Sequence, residues 1–243
     1  MKVMDASEIY DPEFRELIKS KKPTVIIPVG SIEQHGAHLP ITTDSDIVTE
    51  IASRLAKKCG FIVFPTVSYG VSMEHDPFFN ITLQGNTLFW ILNHIDSSLR
   101  DQGIKSIVFL NGHHGNIHSI ESVEKTNRQG ANEKLKGNYK RKVRCYSYWH
   151  FMKHEFDHAG FVETSIMLAI SDKVKMKKAK KGLITKGMSE KEIQRINKLS
   201  TQPGGFPKVA KNGVWGDPTG ATKKDGEKFL AEIVRNLAKE CQS

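Results

Sequence analysis

The sequence predicts a three-layer α/β/α fold on a mostly parallel sheet, and three observations carry that reading. The runs "TVIIPVG" (24–30) and "SIVFLNG" (106–112) are continuous, apolar and rich in β-branched residues, as strands buried on both faces are. Two stretches with helical spacing lie between them. Strands that alternate with helices favour parallel pairing through right-handed crossovers, with helices on both faces of the sheet.

After the first strand, Ile47, Ile51 and Leu55 recur at i, i+4 and i+8; Asp44 or Asp46 is a candidate N-cap and Gly60 the stop. A second strand, "FIVFPTVSY", starts at Phe61. Residues 86–102 place Leu88, Ile91, Leu92, Ile95 and Leu99 on one face of a helix that Gly103 ends. The third buried strand, 106–112, follows. Beyond it the pattern predicts a strand over 143–149, a short helix over 162–170 and a C-terminal helix over 225–240. Between Ser171 and Lys211 the chain is Lys-rich and then broken by "TQPGGFP", which reads as a surface excursion with one helix over 189–199.

With 243 residues and 38% hydrophobic content, the chain suits one domain spanning 1–243. No window approaches the roughly 18 apolar residues of a membrane span, and "MKVMDASEIYDPEF" lacks a signal-peptide core, so a cytoplasmic location is expected. Cys59, Cys145 and Cys241 are odd in number and far apart, which argues against a disulfide framework or a CxxC metal site. Much of the formal charge of +9 gathers in "KGNYKRKVR" (136–144) and "DKVKMKKAKKGLITK" (172–186). Without aromatic interleaving or zinc-finger spacing, these runs read as solvated surface in preference to a nucleic-acid site.

Ionisable residues concentrate where strands end. "GSIEQHGAHLPITTDSD" (30–46) begins at the end of the first strand, and "NGHHGN" closes the third with Asn111, His113, His114 and Asn116. In open α/β sheets ligands bind beyond the carboxyl ends of the strands, so both segments reach one edge. Glu33 and His35 are two residues apart and in an extended segment point to the same side, while Asp44 starts the following helix. His113 joins them from the neighbouring strand end, and "HAGFVETS" (158–165) adds His158 and Glu163. Carboxylates and imidazoles without thiolates suit Zn, Mn, Fe or Co, and one Asp able to bridge makes two ions plausible. Read singly, Asp44 is a helix cap, and His38, His94, His118, His150 and His154 are surface or packing residues.

These motifs resemble the creatininase (creatinine amidohydrolase) family over nearly the whole chain: "PVGSIEQHGAHLPITTD", "NGHHGN", "HAGFVETS" and "GVWGDPTGAT" (213–222) occur in the family's order. The resemblance implies a creatininase-like α/β/α fold, a dinuclear site of divalent ions (Zn, Mn or Fe) and a homohexamer. By motif, it makes Glu33, His35, Asp44, His113 and Glu163 metal ligands, with Asp44 the bridge, and His158 the proton shuttle. It sets Glu74 and His75 of "GVSMEH" at the substrate entrance, with His114 and Asn116 as further substrate contacts. Creatininase has a Glu ligand where Gly115 stands here, so that role does not carry over and Glu163 takes it. "DPFFNITL" after His75 also departs from the family's Pro-Gly-Thr turn.

The expected function is hydrolysis of a non-standard C–N amide bond by a metal-activated water: a cyclic amide, a formamide or a small modified peptide. Deformylation of a formylamino-pyrimidine nucleotide is an alternative, as the basic balance mildly favours an anionic substrate. A rival from another class is a non-catalytic protein of the same fold that binds anions or RNA through the Lys-rich segments.

Overall fold

The computed structural model describes residues 3–133 and 142–242. Its five parallel strands are β1 (Met4–Asp5), β2 (Thr24–Val29), β3 (Ile62–Val63), β4 (Ser106–Asn111) and β5 (Lys142–Ser147), in the spatial order β1-β3-β2-β4-β5. Eight helices accompany them: α1 (Asp11–Lys21), α2 (Thr43–Cys59), α3 (Gly85–Asp101), α4 (Ile117–Glu133), α5 (Phe161–Ile170), α6 (Glu190–Ser200), α7 (Phe206–Val209) and α8 (Lys223–Gln242). Most of the basic run 136–144 lies outside the described residues.

Alternation along β2 and β4 sorts their side chains to two cores. Ile26, Val108 and Leu110 pack with Ile47, Ile51 and Leu55 of α2, Ile166 of α5 and Leu230, Ile233 and Leu237 of α8. Val25, Ile27, Val29, Ile107 and Phe109 face the other way, onto Leu88 and Leu92 of α3 and Ile120 and Val123 of α4. This is the three-layer arrangement the two continuous apolar runs predict, because strands covered on both faces need apolar residues at every position.

Several expectations shift. The second strand is cut to Ile62–Val63, since Pro65 has no N–H to give the ladder. The chain rejoins β2 afterwards through Val67, whose N–H donates to Pro28 O at 2.9 Å. Helices α1 and α4 lie outside the sequence reading: α1 carries a short stripe, Phe14, Leu17 and Ile18, that packs on the core without any fully buried residue, and α4 is held mainly through Ile120 and Val123. The N-cap of α2 is Thr42, not Asp44 or Asp46; Asp44 lies inside the first turn and is buried. Helix α6 runs over Glu190–Ser200, with Ser189 and Glu192 forming a capping box.

Chain connections leave β2 and β4 in opposite directions, toward β3 and β5 respectively. Such a divergence opens a crevice at the carboxyl ends of the two strands. Val29 and Asn111 are paired there, and both site segments start immediately beyond them.

Candidate active site

Beyond β2, the chain from Ile32 to Gln34 is fixed on both sides. The Glu33 N–H donates to Ile41 O at 2.9 Å, the Gln34 N–H to Phe79 O at 2.8 Å, and Ile81 N–H to Ile32 O at 2.9 Å. Glu33 and His35 are thereby driven inward and are fully buried. Beyond β4, Asn111 Oδ1 accepts the His113 N–H at 3.0 Å and sets the turn that delivers His113. Gly112 is needed there because a Cβ would stand 2.7 Å from Asp44 O and Val48 Cβ.

Asp44 joins the two segments. Its Oδ1 is 3.2 Å from His35 Nε2, and its Oδ2 is 3.1 Å from His113 Nδ1. Glu163, from the first turn of α5, brings Oε2 to 3.6 Å from His35 Nε2, while Glu33 Oε2 is 3.2 Å from His113 Nε2. Two trios result, Glu33/Asp44/His113 and His35/Asp44/Glu163, each with its ligand atoms within 4.8 Å of one another and each containing Asp44.

The chemistry of this cluster fits divalent ions. Glu33 Oε1, Asp44 Oδ2 and Glu163 Oε1 are buried and accept no hydrogen bond, although His75 Nε2 approaches the first to 3.0 Å and His113 Nδ1 the second to 3.1 Å. Buried carboxylate oxygens left in that state are costly unless a cation meets them. The histidine rings are turned to suit: His35 Nδ1 faces Glu33 O at 3.1 Å, and His113 Nε2 faces Val71 O at 2.7 Å. A ring that donates one N–H to a carbonyl holds its other nitrogen bare for a metal. That frees His35 Nε2 and His113 Nδ1, the two atoms that meet the two oxygens of Asp44.

Protons balance the charge in the metal-free cluster. Burial lowers the affinity of His35 for a proton, but the carboxylates of Asp44, Glu163 and Glu33 outweigh it and push its pKa up to about 10. His113 is raised in the same way, chiefly by Glu33 and Asp44 against burial. Burial also pushes Glu163 up to about 8, despite His35 beside it. A buried group of this kind exchanges its proton for a cation.

A cavity of about 330 Å³ opens beside the cluster, lined by Asp44, Glu74, His75, His113, His114 and His158 on its inner side. Its outer side is built by Asn197, Ser200, Thr201, Phe206 and Trp215. Of the residues the sequence singles out, Glu33, His35, Asp44, His113, His158 and Glu163 converge. Glu74 Oε1 is 3.5 Å from His113 Nε2, and His75 is buried against Glu33. His114 reaches the cavity and stacks on Trp149 with ring centres 6.1 Å apart. Asn116 is set apart from the cavity lining: fully buried, it donates to Gly30 O at 2.9 Å and accepts from the Val71 N–H at 2.9 Å, bracing the two strand ends.

The outer wall comes from the segment that reads as a surface excursion. "TQPGGFP" folds back because Gly204 takes φ +62° and donates its N–H to Met73 O at 3.0 Å. That contact docks α6 and α7 against the "GVSMEH" segment. Phe206 then packs on His75 and His158, with ring centres 4.5 and 4.8 Å away. The paired glycines and prolines marked a turn, but nothing local in the sequence indicates where the turn docks. Asp157 is a further residue outside the sequence reading: half-buried at the cavity, it accepts the Val162 N–H at 3.0 Å and steadies the start of α5.

Comparison with known proteins identifies the family and the fold. The family model Creatininase, described as creatinine amidohydrolase, matches residues 7–241. The mycofactocin precursor peptide peptidase of Mycolicibacterium smegmatis is 31% identical over 228 residues, covering 91% of this chain and 85% of that protein. Creatinine amidohydrolase of Pseudomonas putida is 27% identical over 186 residues, covering 67% and 70%. The crystal structure of creatininase matches at a TM-score of 0.79 and 23% identity over 99% of this chain and 97% of that one, and Zn–Zn and Mn forms of creatininase match as well. The chain therefore belongs to the creatininase family and is a hydrolase of carbon–nitrogen bonds.

Proposed function

We propose that this protein hydrolyses the amide bond of a small neutral substrate, such as a short peptide or a cyclic amide, with two divalent ions at the strand-end cluster. The observation that carries the reading is the pair of ligand trios sharing Asp44, whose two oxygens face His35 on one side and His113 on the other. Bound there, Zn, Mn or Fe supplies an activated water and a Lewis acid for the carbonyl under attack. Glu33 and His113 would hold one ion and His35 and Glu163 the other, with Asp44 common to both trios.

His158 lies on the cavity side of the cluster, 3.8 Å from Glu33 Oε1 through Nδ1. Burial and the neighbouring His35 and His75 hold its pKa well below the usual histidine value, so it is neutral near pH 7 and able to relay a proton to the leaving nitrogen. Glu74 and His114 border the space where the substrate sits.

The cavity favours a neutral substrate over a phosphorylated one. No Lys or Arg is among the described residues that line it; its outer side offers the Asn197 amide, two hydroxyls and the rings of Phe156, Phe206 and Trp215. A phosphate held there would lack the cationic partners such groups normally take. A relative 31% identical is named for peptide hydrolysis, which agrees with this choice. The basic run 172–186 contributes no lining residue, so it gives no support to a nucleotide held in this cavity. Rates on a panel of short peptides, lactams and a phosphorylated formamide, with Zn or Mn added, test the reading. Turnover of the neutral amides is expected; turnover confined to the phosphorylated compound overturns the substrate class.

The working form is a homo-oligomer on this reading, a hexamer by family resemblance. Exposed Phe79, Trp90 and Tyr69, at 57, 54 and 50% exposure, supply apolar surface for contacts between copies. Light scattering checks it, and a stable monomer at working concentration removes it.

A further inference from the structure

Gln34 stands between two candidate ligands, and alternation along an extended segment turns it away from them. Its side chain is nonetheless 9% exposed and fully engaged. The Gly36 N–H donates to Gln34 Oε1 at 3.0 Å, which orients the amide and leaves both hydrogens of Nε2 pointing elsewhere. One meets His75 Nδ1 at 3.0 Å and the other His158 Nε2 at 3.0 Å. Gly213, at φ +73°, seals the amide in place: a Cβ there would lie 1.9 Å from Gln34 Oε1.

We propose that Gln34 is a positioning residue whose single amide donates to His75 and His158 together and so fixes which nitrogen each ring turns toward Glu33. His75 is then protonated on Nε2, which sets a partial positive charge 3.0 Å from Glu33 Oε1. His158 is protonated on Nδ1, which stands 3.8 Å from the same oxygen. A competing arrangement exists in the same geometry, because His158 Nε2 is also 3.1 Å from the backbone Gln34 O. In that arrangement His158 donates from Nε2, its Nδ1 is bare, and the trio Glu33/His35/His158 becomes a further possible metal cage. It strands one buried amide hydrogen of Gln34, which is unfavourable for a polar group shut away from water. Satisfying both hydrogens favours the first arrangement, so His158 stays out of the metal's ligand set and keeps Nδ1 for the cavity.

Phe206 completes the clamp. It packs on both rings, whose centres lie 4.9 Å apart, so neither can turn over without displacing α7. The proposal rests on the dinuclear hydrolase reading, yet its test uses no substrate, so either can fail alone. The measurement is the ¹⁵N NMR of histidine-labelled, Zn-loaded protein, with the His158 signals identified by their loss in His158→Gln. The expected result is a bare Nε2 and protonated Nδ1 on His158, with a bare Nδ1 on His75. Protonation of His158 Nε2, or of His75 Nδ1, overturns the proposal. Gln34→Leu and Gln34→Glu should each weaken metal binding in chelator competition, because His75 then loses the donor that turns its Nε2 toward the ligand Glu33. Unchanged affinity in two folded variants overturns the positioning role.

Discussion

The inner and outer walls of the cavity follow opposite rules. The inner wall is a set of ionisable groups that burial should exclude: Asp44, His75 and His113 line it and are buried, with Glu33, His35 and Glu163 fully buried behind them. The outer wall is neutral: Asn197 and Ser200 belong to α6, a helix whose only buried residue is Ser200, and Phe206 and Trp215 add rings beside them. Buried ionisable groups lower stability unless something compensates them, so their presence marks a binding chemistry. Neutral polar residues on an exposed helix carry no such penalty. The inner wall defines the reaction and the outer wall defines what fits, and only the first leaves a strong signature.

If that division holds, the largest effect belongs to Asp44. Asp44→Ala removes one ligand from each trio, so both ions should be lost and turnover should fall to background. Asp46→Ala should retain both, since that side chain meets Thr42 at 3.1 Å and Lys173 at 3.8 Å on the surface. Elemental analysis of the two variants side by side checks this, and equal losses would break the assignment of Asp44 as the bridge.

Next comes a contrast within the inner wall. His158→Gln should keep its metal and lose roughly 10²- to 10⁴-fold in kcat, the usual contribution of a proton relay. Glu163→Gln should lose metal as well, because an amide is a poorer ligand than a carboxylate. Reversed outcomes would mean that the two roles have been exchanged.

The positions of the inner wall were legible because strand ends are legible. "TVIIPVG" and "SIVFLNG" locate the sheet edge, and Glu33, His35 and His113 follow them within a few residues. Gln34 was hidden by the same alternation that exposed its neighbours, since its partners His75 and His158 lie 41 and 124 residues away. Helix α4 was hidden for a different reason: only a narrow apolar stripe holds it, and the rest of its sequence is polar. The outer wall depends on one long-range bond, Gly204 N–H to Met73 O, that no local pattern encodes.

An intermediate effect is expected from pH in the metal-free protein. His35 has its folded pKa raised from 6.5 to about 10, so its stabilising contribution is fully present below about pH 6.5 and disappears as pH rises through 10. The Tm of chelated protein should therefore fall between pH 7 and 10, whereas metal-loaded protein should fall less, since the cation takes the proton's place. Parallel melting curves with and without chelator read this directly, and identical slopes would separate the cluster from metal binding.

The smallest effect belongs to the outer wall. Asn197→Ala or Thr201→Ala should raise KM for a neutral amide roughly two- to twelvefold with kcat retained, as loss of one neutral hydrogen bond of about 0.5–1.5 kcal/mol does. Metal content should not move. A fall in kcat equal to that of His158→Gln would mean that the two walls do not divide the work.

The most direct test of the central claim is to strip the purified protein with a chelator and titrate Zn or Mn back while following hydrolysis of a neutral amide substrate. The expected result is loss of activity on stripping and recovery that is complete only near two ions per chain. Full activity in stripped protein, or full recovery well below one ion per chain, would contradict the dinuclear account.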